Sequence, residues 1–412
     1  MPKIGNRLPK SEATRLKLLA CAVDEINELG PDRLGFTSIA RRAGLSTGAL
    51  YARYENVDEL LLEVWMAEGL PALRHLLQDM EEALSRESGI AARLRLSEQL
   101  SQSDRGLLIL VNLLVVARRI EATYEEIAPS VTEEVSKFTA RAPALEFFLG
   151  NMLGMAIGIT GTGLNGLDWQ GPVEIVASAA RKAIEPHEIS TDTAKLPETV
   201  DFPNDAEEID ARLFDAVAHV IARVGASHAT VSRIARRAKV NPASIYMRYE
   251  DKDALFVACM SSVMKMGDPR NTPLLDRYKA NSKNLAESSP ASSAVAMFRG
   301  NQSPEHSSIR RLRLETMFAA MHDENLRRTN QEIYLSTIER NEKYLELPLG
   351  ALTNRVSLPY SIFSRFAFFG YAVLAEYGLC DSDHPYLIPY AAEVANSLQR
   401  LTYNSRLHQT NK

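Results

Sequence analysis

Residues 39–60 read IARRAGLSTGALYARYENVDEL, and residues 234–255 read IARRAKVNPASIYMRYEDKDAL. The two stretches are 195 residues apart without a gap, and 11 of their 22 positions are identical. The same register continues upstream, where Gly30 pairs with Gly225. A sequence that repeats itself in this way is built from copies of one structural unit. The chain therefore consists of two copies of one module.

The composition is that of an ordinary globular protein. The chain has 412 residues, of which 45% are hydrophobic and 24% charged, and its net charge is −5. That length suggests two to four domains. The three cysteines are far apart in sequence, which excludes a CxxC metal site or a disulfide framework and favours a reducing environment. The N-terminus is polar and lacks the apolar region of a signal peptide, so we expect a cytoplasmic protein.

Helical patterns dominate the chain. Residues 11–29 carry apolar side chains at a period of 3.6 residues, and Gly30 follows as a stop signal. Residues 210–224 repeat the pattern and end at Gly225. Alternating apolar and polar runs bounded by turns are absent, so we expect an all-α protein without a sheet.

Each copy contains two short helices joined by a tight turn. Ser46 and Asn241 stand where an N-cap belongs, because their side-chain oxygens can accept the free N–H groups of the next helical turn. The first helices are predicted at 37–43 and 231–238, and the second helices at 47–54 and 242–249. This pattern is a helix-turn-helix, whose second helix enters the major groove of DNA.

The chemistry of these segments suits DNA. Small side chains open the second helix and allow close approach to base edges, and tyrosine and arginine follow as donors for phosphates. The net charge is +3 over residues 33–57 and +4 over residues 228–252, although the whole chain is acidic. We therefore expect each copy to carry a basic patch that binds the DNA backbone.

The stretch FTSIARRAGLSTGALYARYENVDEL resembles the N-terminal DNA-binding domain of TetR-family transcriptional regulators. The resemblance covers about residues 12–66 and 207–261 and is faint elsewhere. It implies a three-helix DNA-binding domain followed by a helical domain for ligand binding and dimerisation. Members of this family usually act as homodimeric repressors that a small molecule releases. Here both protomers would lie in one chain, as an intramolecular pseudo-dimer.

The resemblance also implies which residues contact DNA. In the first copy they are Thr37, Ser38, Arg41, Thr47, Gly48, Ala49, Tyr51 and Arg53. In the second copy they are Ser232, Arg233, Arg236, Pro242, Ala243, Ser244, Tyr246, Arg248 and Lys252. Tyr54 and Tyr249 would be packing aromatics. Lys252 matches a lysine that often opens the fourth helix of the family and holds a phosphate, whereas the first copy has Val57 there.

The repeat sets the predicted domain boundaries. A weaker echo places Pro143–Phe147 on Pro359–Phe363 and Gly154 on Gly370, at a shift of 216 residues. The segment between the copies is rich in Pro, Thr and acidic residues, which is typical of an exposed linker. We predict helix-turn-helix domains at 1–66 and 207–266, helical regulatory domains at 67–185 and 267–412, and the linker at 186–206.

Two apolar helices are candidates for an interface between the halves. Gly150, Gly154 and Gly158 recur every four residues and leave one helix face nearly bare. The corresponding helix of the second copy carries Phe363, Phe366 and Phe369. A bare groove that faces an aromatic ridge would favour pairing of the two halves within one chain. The glycine spacing is also typical of membrane helix packing, but charged residues on the second helix argue against lipid, and we expect no membrane span.

We therefore predict a sequence-specific DNA-binding regulator, most simply a repressor, that reads two non-equivalent half-sites and responds to a small-molecule effector. No GxSxG, phosphate-loop or HExxH motif is present, so we expect no enzyme activity, no cofactor and no metal. Two alternatives stay open. One is a ligand- or partner-binding helical protein with vestigial helix-turn-helix units, which Val57 and the acidic runs at residues 55–59 and 250–251 favour. The other is an enzyme or a membrane protein.

Overall fold

The computed structural model describes residues 10–183, 208–266, 298–299, 302, 307–344 and 358–410. Within these ranges the regular structure is helical and contains no strand, so the all-α prediction is confirmed. The predicted linker 186–206 lies outside the described residues.

The first half contains ten helices among its described residues. A 3₁₀ turn at Pro31–Arg33 separates the first two helices, and a π-helical segment at Trp65–Gly69 joins the fourth to the fifth. The helices are α1 (Lys10–Leu29), α2 (Phe36–Ala43), α3 (Gly48–Tyr51), α4 (Val57–Val64), α5 (Leu70–Ala83), α6 (Ile90–Ser101), α7 (Arg105–Ala117), α8 (Glu121–Thr139), α9 (Leu145–Thr162) and α10 (Gln170–Lys182).

The second half repeats this order in the parts of it that the structure describes. Its helices are α11 (Glu208–His228), α12 (Val231–Ala238), α13 (Pro242–Tyr246), α14 (Lys252–Met266), α15 (Ser307–Ala320), α16 (Glu324–Tyr344), α17 (Leu358–Ala375) and α18 (Leu387–Thr410). Gly225 has φ 75° and breaks the last turn of α11, at the position where Gly30, with φ 85°, follows α1. The predicted helix stops are thus both confirmed.

The helix-turn-helix geometry differs from the prediction in one cap and in helix length. Asn241 is the N-cap of α13 and accepts a hydrogen bond from the Ala243 amide at 2.9 Å, as predicted. The Ser46 prediction was wrong: Thr47 is the N-cap of α3, and no side chain caps that end. Both second helices are also shorter than predicted, because i→i+3 bonds such as Arg53 N–H to Leu50 O, at 2.8 Å, turn the chain out of the helix.

The apolar residues form two cores. The first helix-turn-helix domain and the described helical parts of both halves share one continuous core. The second helix-turn-helix domain has a core of its own, built from α11 to α14 and closed by residues of α15 such as Leu312.

Helices α9 and α17 pack face to face through their small residues. A Cβ atom on Gly154 would lie 2.3 Å from the carbonyl oxygen of Phe366, and one on Gly370 would lie 2.5 Å from the amide nitrogen of Gly154. Only glycine at these positions lets the two backbones approach so closely. The Phe366 ring covers Gly158, and the ring of Tyr371 covers Gly150.

Of the three phenylalanines predicted to face the glycines of α9, only Phe366 is among the nearest neighbours of a glycine there. Phe363 and Phe369 are buried, and Phe369 packs against Phe366 and Tyr334 at ring distances of 6.3 and 6.4 Å. The sequence prediction, which rested on the phenylalanines alone, missed Tyr371, whose ring lies against Gly150.

By length and composition, α9 and α17 could each cross a membrane, and a third span would result if the bent pair α6 and α7 acted as one. Within the protein, 89% of the apolar window of α9 and 67% of that of α17 is buried. The close packing of these two helices on each other accounts for their apolar composition without lipid.

Candidate nucleic-acid interface

The predicted contact surface of the first copy is accessible. Five of its residues are exposed and three are half-buried: Thr37, Arg41, Thr47, Gly48 and Tyr51, and Ser38, Ala49 and Arg53. Tyr51 keeps 66% of its surface exposed although the edge of its ring packs on Phe36, with ring centroids 5.0 Å apart. The tyrosine is thus held by an aromatic neighbour and still offers most of its side chain to a partner.

The equivalent surface of the second copy is also accessible. Seven of its predicted residues are exposed and two are half-buried: Ser232, Arg233, Arg236, Pro242, Ala243, Tyr246 and Arg248, and Ser244 and Lys252. Tyr246 is 57% exposed, close to the value for its counterpart Tyr51. Neither helix-turn-helix is covered by another described element, so both surfaces can meet a duplex.

Tyr54 and Tyr249 pack inward at the ends of these segments. Tyr54 is 3% exposed and lies in the core of the first domain. The hydroxyl of Tyr249 donates to Asp210 at 3.0 Å, which ties the end of the second helix-turn-helix to the start of α11. Burial raises the pKa of both tyrosines far above the usual value, so both stay neutral.

The two arginines that follow the second helices have partners within the protein. In the first copy, Arg53 donates to the carbonyl oxygen of Ala49 at 3.0 Å and to that of Ser11 at 3.1 Å. In the second copy, Arg248 lies 3.5 Å from the carboxylate of Asp210. Both contacts fasten the helix-turn-helix to the first helix of its domain. A phosphate contact by either arginine stays a prediction.

Lys252 also bonds within its own domain. Its Nζ donates to the carbonyl oxygen of Ala226 at 3.3 Å and lies 5.3 Å from the centre of the Phe256 ring. Ser38 likewise uses its hydroxyl inside the domain, on the carboxylate of the buried Glu25. Their roles toward DNA remain predictions.

Met247 is a surface residue that sequence reasoning missed. It is 85% exposed, next to Tyr246, and its counterpart 195 residues earlier is the small Ala52. An exposed thioether beside a recognition helix can make apolar contacts with a thymine methyl group. The signal in the sequence was the large apolar residue at a position where the other copy has alanine.

Comparison with known proteins fits this geometry. The family model "Bacterial regulatory proteins, tetR family" matches residues 18–64 and, a second time, residues 213–259. Both helix-turn-helix segments are therefore TetR-family domains. The two matched segments have the same length and lie 195 residues apart, which is the register of the sequence repeat. The chain therefore has a tandem, duplicated TetR-family DNA-binding module and is a DNA-binding transcriptional regulator. No curated protein matches the chain.

A buried ionic cluster joins the two TetR-family DNA-binding domains. Arg119, which follows α7, donates to Asp32 of the first domain at 2.5 Å and to Glu315 of α15 at 3.2 Å. Ser227 of the second domain donates to the other oxygen of Asp32 at 2.7 Å. Burial alone would lower the pKa of Arg119, but the carboxylates of Glu315 and Asp32 outweigh it and raise the pKa. The guanidinium therefore stays charged between them.

A histidine after α15 makes a contact to α7 that corresponds to the contact of Arg119 with α15. His322, which follows α15, has its Nε2 2.8 Å from the side-chain oxygen of Asn112 in α7, so that nitrogen carries the proton. Burial lowers the pKa of His322 to about 4 and keeps the ring neutral. A cavity of about 130 Å³ lies beside it, between the two DNA-binding domains, and Asp32, Arg119 and Lys252 also line it.

Proposed function

We propose that this regulator works as an intramolecular pseudo-dimer that binds one duplex with α3 and α13 of the same chain. The observation that carries the proposal is that equivalent residues of the two copies meet. A two-fold axis brings the residues that lie close to it next to their own counterparts. Gly154 packs on Gly370, its counterpart at the shift of 216, and Asp32 bonds to Ser227, its counterpart at the shift of 195.

Reciprocal contacts support the same arrangement. Glu121 begins α8 and Glu324 begins α16, which sets a shift of 203 residues for this region. At that shift Arg119 corresponds to His322, and Glu315 to Asn112. Arg119 binds Glu315, and His322 binds Asn112. The contact from Arg119 to Glu315 and the contact from His322 to Asn112 are therefore the same contact, made once in each direction. An isologous dimer interface has this reciprocity.

The same crossing extends to the helix stops of the DNA-binding domains. A Cβ atom on Gly225 would lie 2.6 Å from the guanidinium carbon of Arg119, and one on Gly30 would lie 2.9 Å from the ring of His322. The helical regulatory domain of each half therefore packs against the DNA-binding domain of the other half. A homodimer of a single-module relative would make such contacts between two chains, and here one chain makes them.

The two reading helices differ in sequence, so their half-sites should differ. Thr47-Gly48-Ala49 opens the first segment and Pro242-Ala243-Ser244 the second. We expect the two helices to reach successive major grooves, about 34–36 Å apart or a multiple of that distance. We further propose, from the family resemblance, repression as the output, release by a small apolar effector, and a cytoplasmic location without a membrane anchor.

Selection of bound duplexes from a random pool tests the proposal. We expect a bound sequence with two half-sites that are not related by symmetry. A perfect palindrome would contradict the assignment of different half-sites to the two helices, and enrichment of a single half-site would contradict binding by both.

A further inference from the structure

The two DNA-binding domains differ in charge although their backbones correspond. Residues 18–64 contain four basic and eight acidic side chains, a net charge of −4. Residues 213–259, the same positions of the second copy, contain seven basic and four acidic side chains, a net charge of +3. DNA presents the same density of phosphates to both domains. Their electrostatic affinities for it should therefore differ.

An ion pair of the first domain is replaced by two cations in the second. Arg42 of α2 donates to the carboxylate of Glu28 in α1 at 2.9 Å, so its charge is neutralised locally. At the same positions the second domain has Arg237 and Arg223. Both of these arginines are exposed. Two positive charges do not neutralise each other, so both contribute to the electrostatic field around the second helix-turn-helix.

Two further substitutions add charge close to the turn. Arg233 of the second domain stands where the first has Ser38, and Lys239 stands where the first has Gly44. Both basic side chains are exposed. The guanidinium of Arg233 donates to the carbonyl oxygen of His228 at 3.0 Å, which fixes its position without neutralising it.

We propose that the second DNA-binding domain is the electrostatic anchor of the pair. It holds the phosphate backbone of any duplex, and the first domain adds affinity only where the bases of its half-site fit. The inference rests on the proposed binding of one duplex by both DNA-binding domains, and it states which of the two contributes more of the electrostatic affinity. Phosphate contacts carry most non-specific affinity and its salt dependence, whereas base contacts carry discrimination.

A pair of equivalent arginines provides the test. Arg41 and Arg236 occupy the same position of α2 and α12, and both are exposed. Binding to a random-sequence duplex is measured over a range of salt concentrations for Arg41→Ser and Arg236→Ser. Each lost phosphate contact reduces the slope of log K against log salt by about 0.9. We expect Arg236→Ser to reduce it by about that amount and Arg41→Ser by less than half as much.

A charge exchange tests whether this difference in electrostatic affinity follows from these residues. The variant Glu28→Arg, Gly44→Lys, Arg223→Glu, Lys239→Gly keeps the net charge of the chain at −5. The exchange at the turn is sterically permitted, since no atom lies within 4 Å of a Cβ on Gly44 and Lys239 already adopts the same left-handed backbone, with φ 56° against 62°. In this background we expect Arg41→Ser to become the more damaging substitution.

Controls separate this inference from the proposed function. Arg86→Glu changes an exposed charge between α5 and α6, outside both DNA-binding domains, and should leave the salt slope unchanged. Thermal unfolding checks that every variant is folded. Equal effects of Arg41→Ser and Arg236→Ser on a protein that still binds its selected duplex overturn the anchor and leave the proposed binding by both domains intact. A wild-type chain that binds no duplex overturns both.

Discussion

At the scale of single residues, His322 links acid stability to the contact between the halves. The ring is neutral in the folded chain because burial lowers its pKa from 6.5 to about 4. Between those pH values the unfolded chain binds a proton that the folded chain does not, so stability falls as the pH falls. We expect a loss of up to about 3 kcal/mol between pH 7 and pH 4 from this group, since one pKa unit corresponds to about 1.4 kcal/mol.

The matched variant is His322→Gln, whose amide can still donate to Asn112 but does not titrate. Denaturant unfolding of both proteins across this pH range isolates the histidine. The wild-type curve should fall more steeply toward pH 4, and parallel curves would show that the ring is not held neutral.

Residue type alone predicted some local features of the structure, such as a helix cap, but not the partners of buried side chains. Asparagine at position 241 is a strong N-cap residue, so the cap of α13 followed from the sequence itself. The partner of Arg53 did not, because Ser11 is 42 residues away in sequence and only the fold brings it close. The same holds for Arg119, whose carboxylate partners lie 87 and 196 residues away.

At the scale of helices, the glycine face of α9 is a contact between the halves that has no space for added side-chain atoms. A methyl group on Gly154 has no space against the α17 backbone, so Gly154→Ala should destabilise the protein by about 1–3 kcal/mol, as overpacking does. Gly48→Ala is the control, because its nearest neighbour would be a serine hydroxyl oxygen at 3.6 Å and alanine favours a helix. If both variants unfold at the wild-type temperature, the close approach of α9 and α17 is not what joins the halves.

The ionic cluster at the ends of α7 and α15 gives a second prediction at this scale. Arg119→Met removes the cation and leaves the buried carboxylates of Asp32 and Glu315 without it. Breaking one side of a buried pair typically costs about 3–5 kcal/mol. We expect a loss of that order in chemical unfolding at pH 7, and a smaller loss for Arg118→Met, whose side chain is 44% exposed. Equal losses of unfolding free energy in the two variants would mean that burial of the Arg119 cluster does not increase its contribution to stability.

The helical pattern, the turn and the glycine spacing made the elements predictable, because each depends on neighbours within one or two turns. The pairing of α9 with α17 could be inferred from complementary faces. The crossing of Arg119 and His322 to the opposite DNA-binding domains could not, since it depends on how the two halves sit against each other.

At the scale of the whole molecule, the duplication in the sequence predicted two modules, and the family match confirms them. In the proposed pseudo-dimer, one half of the chain makes the contacts that a second chain would make in an ordinary dimer. Its equivalent residues meet at two separate places, Gly154 with Gly370 and Asp32 with Ser227. One chain should therefore be sufficient for one binding site.

The most direct test of that claim is the molar mass of the complex with a selected duplex. We expect a mass equal to that of one 45.7 kDa chain plus one duplex, at protein concentrations well above the dissociation constant. A complex with two chains on one duplex would contradict this claim, because each chain would then bind DNA with only one of its two helix-turn-helix units.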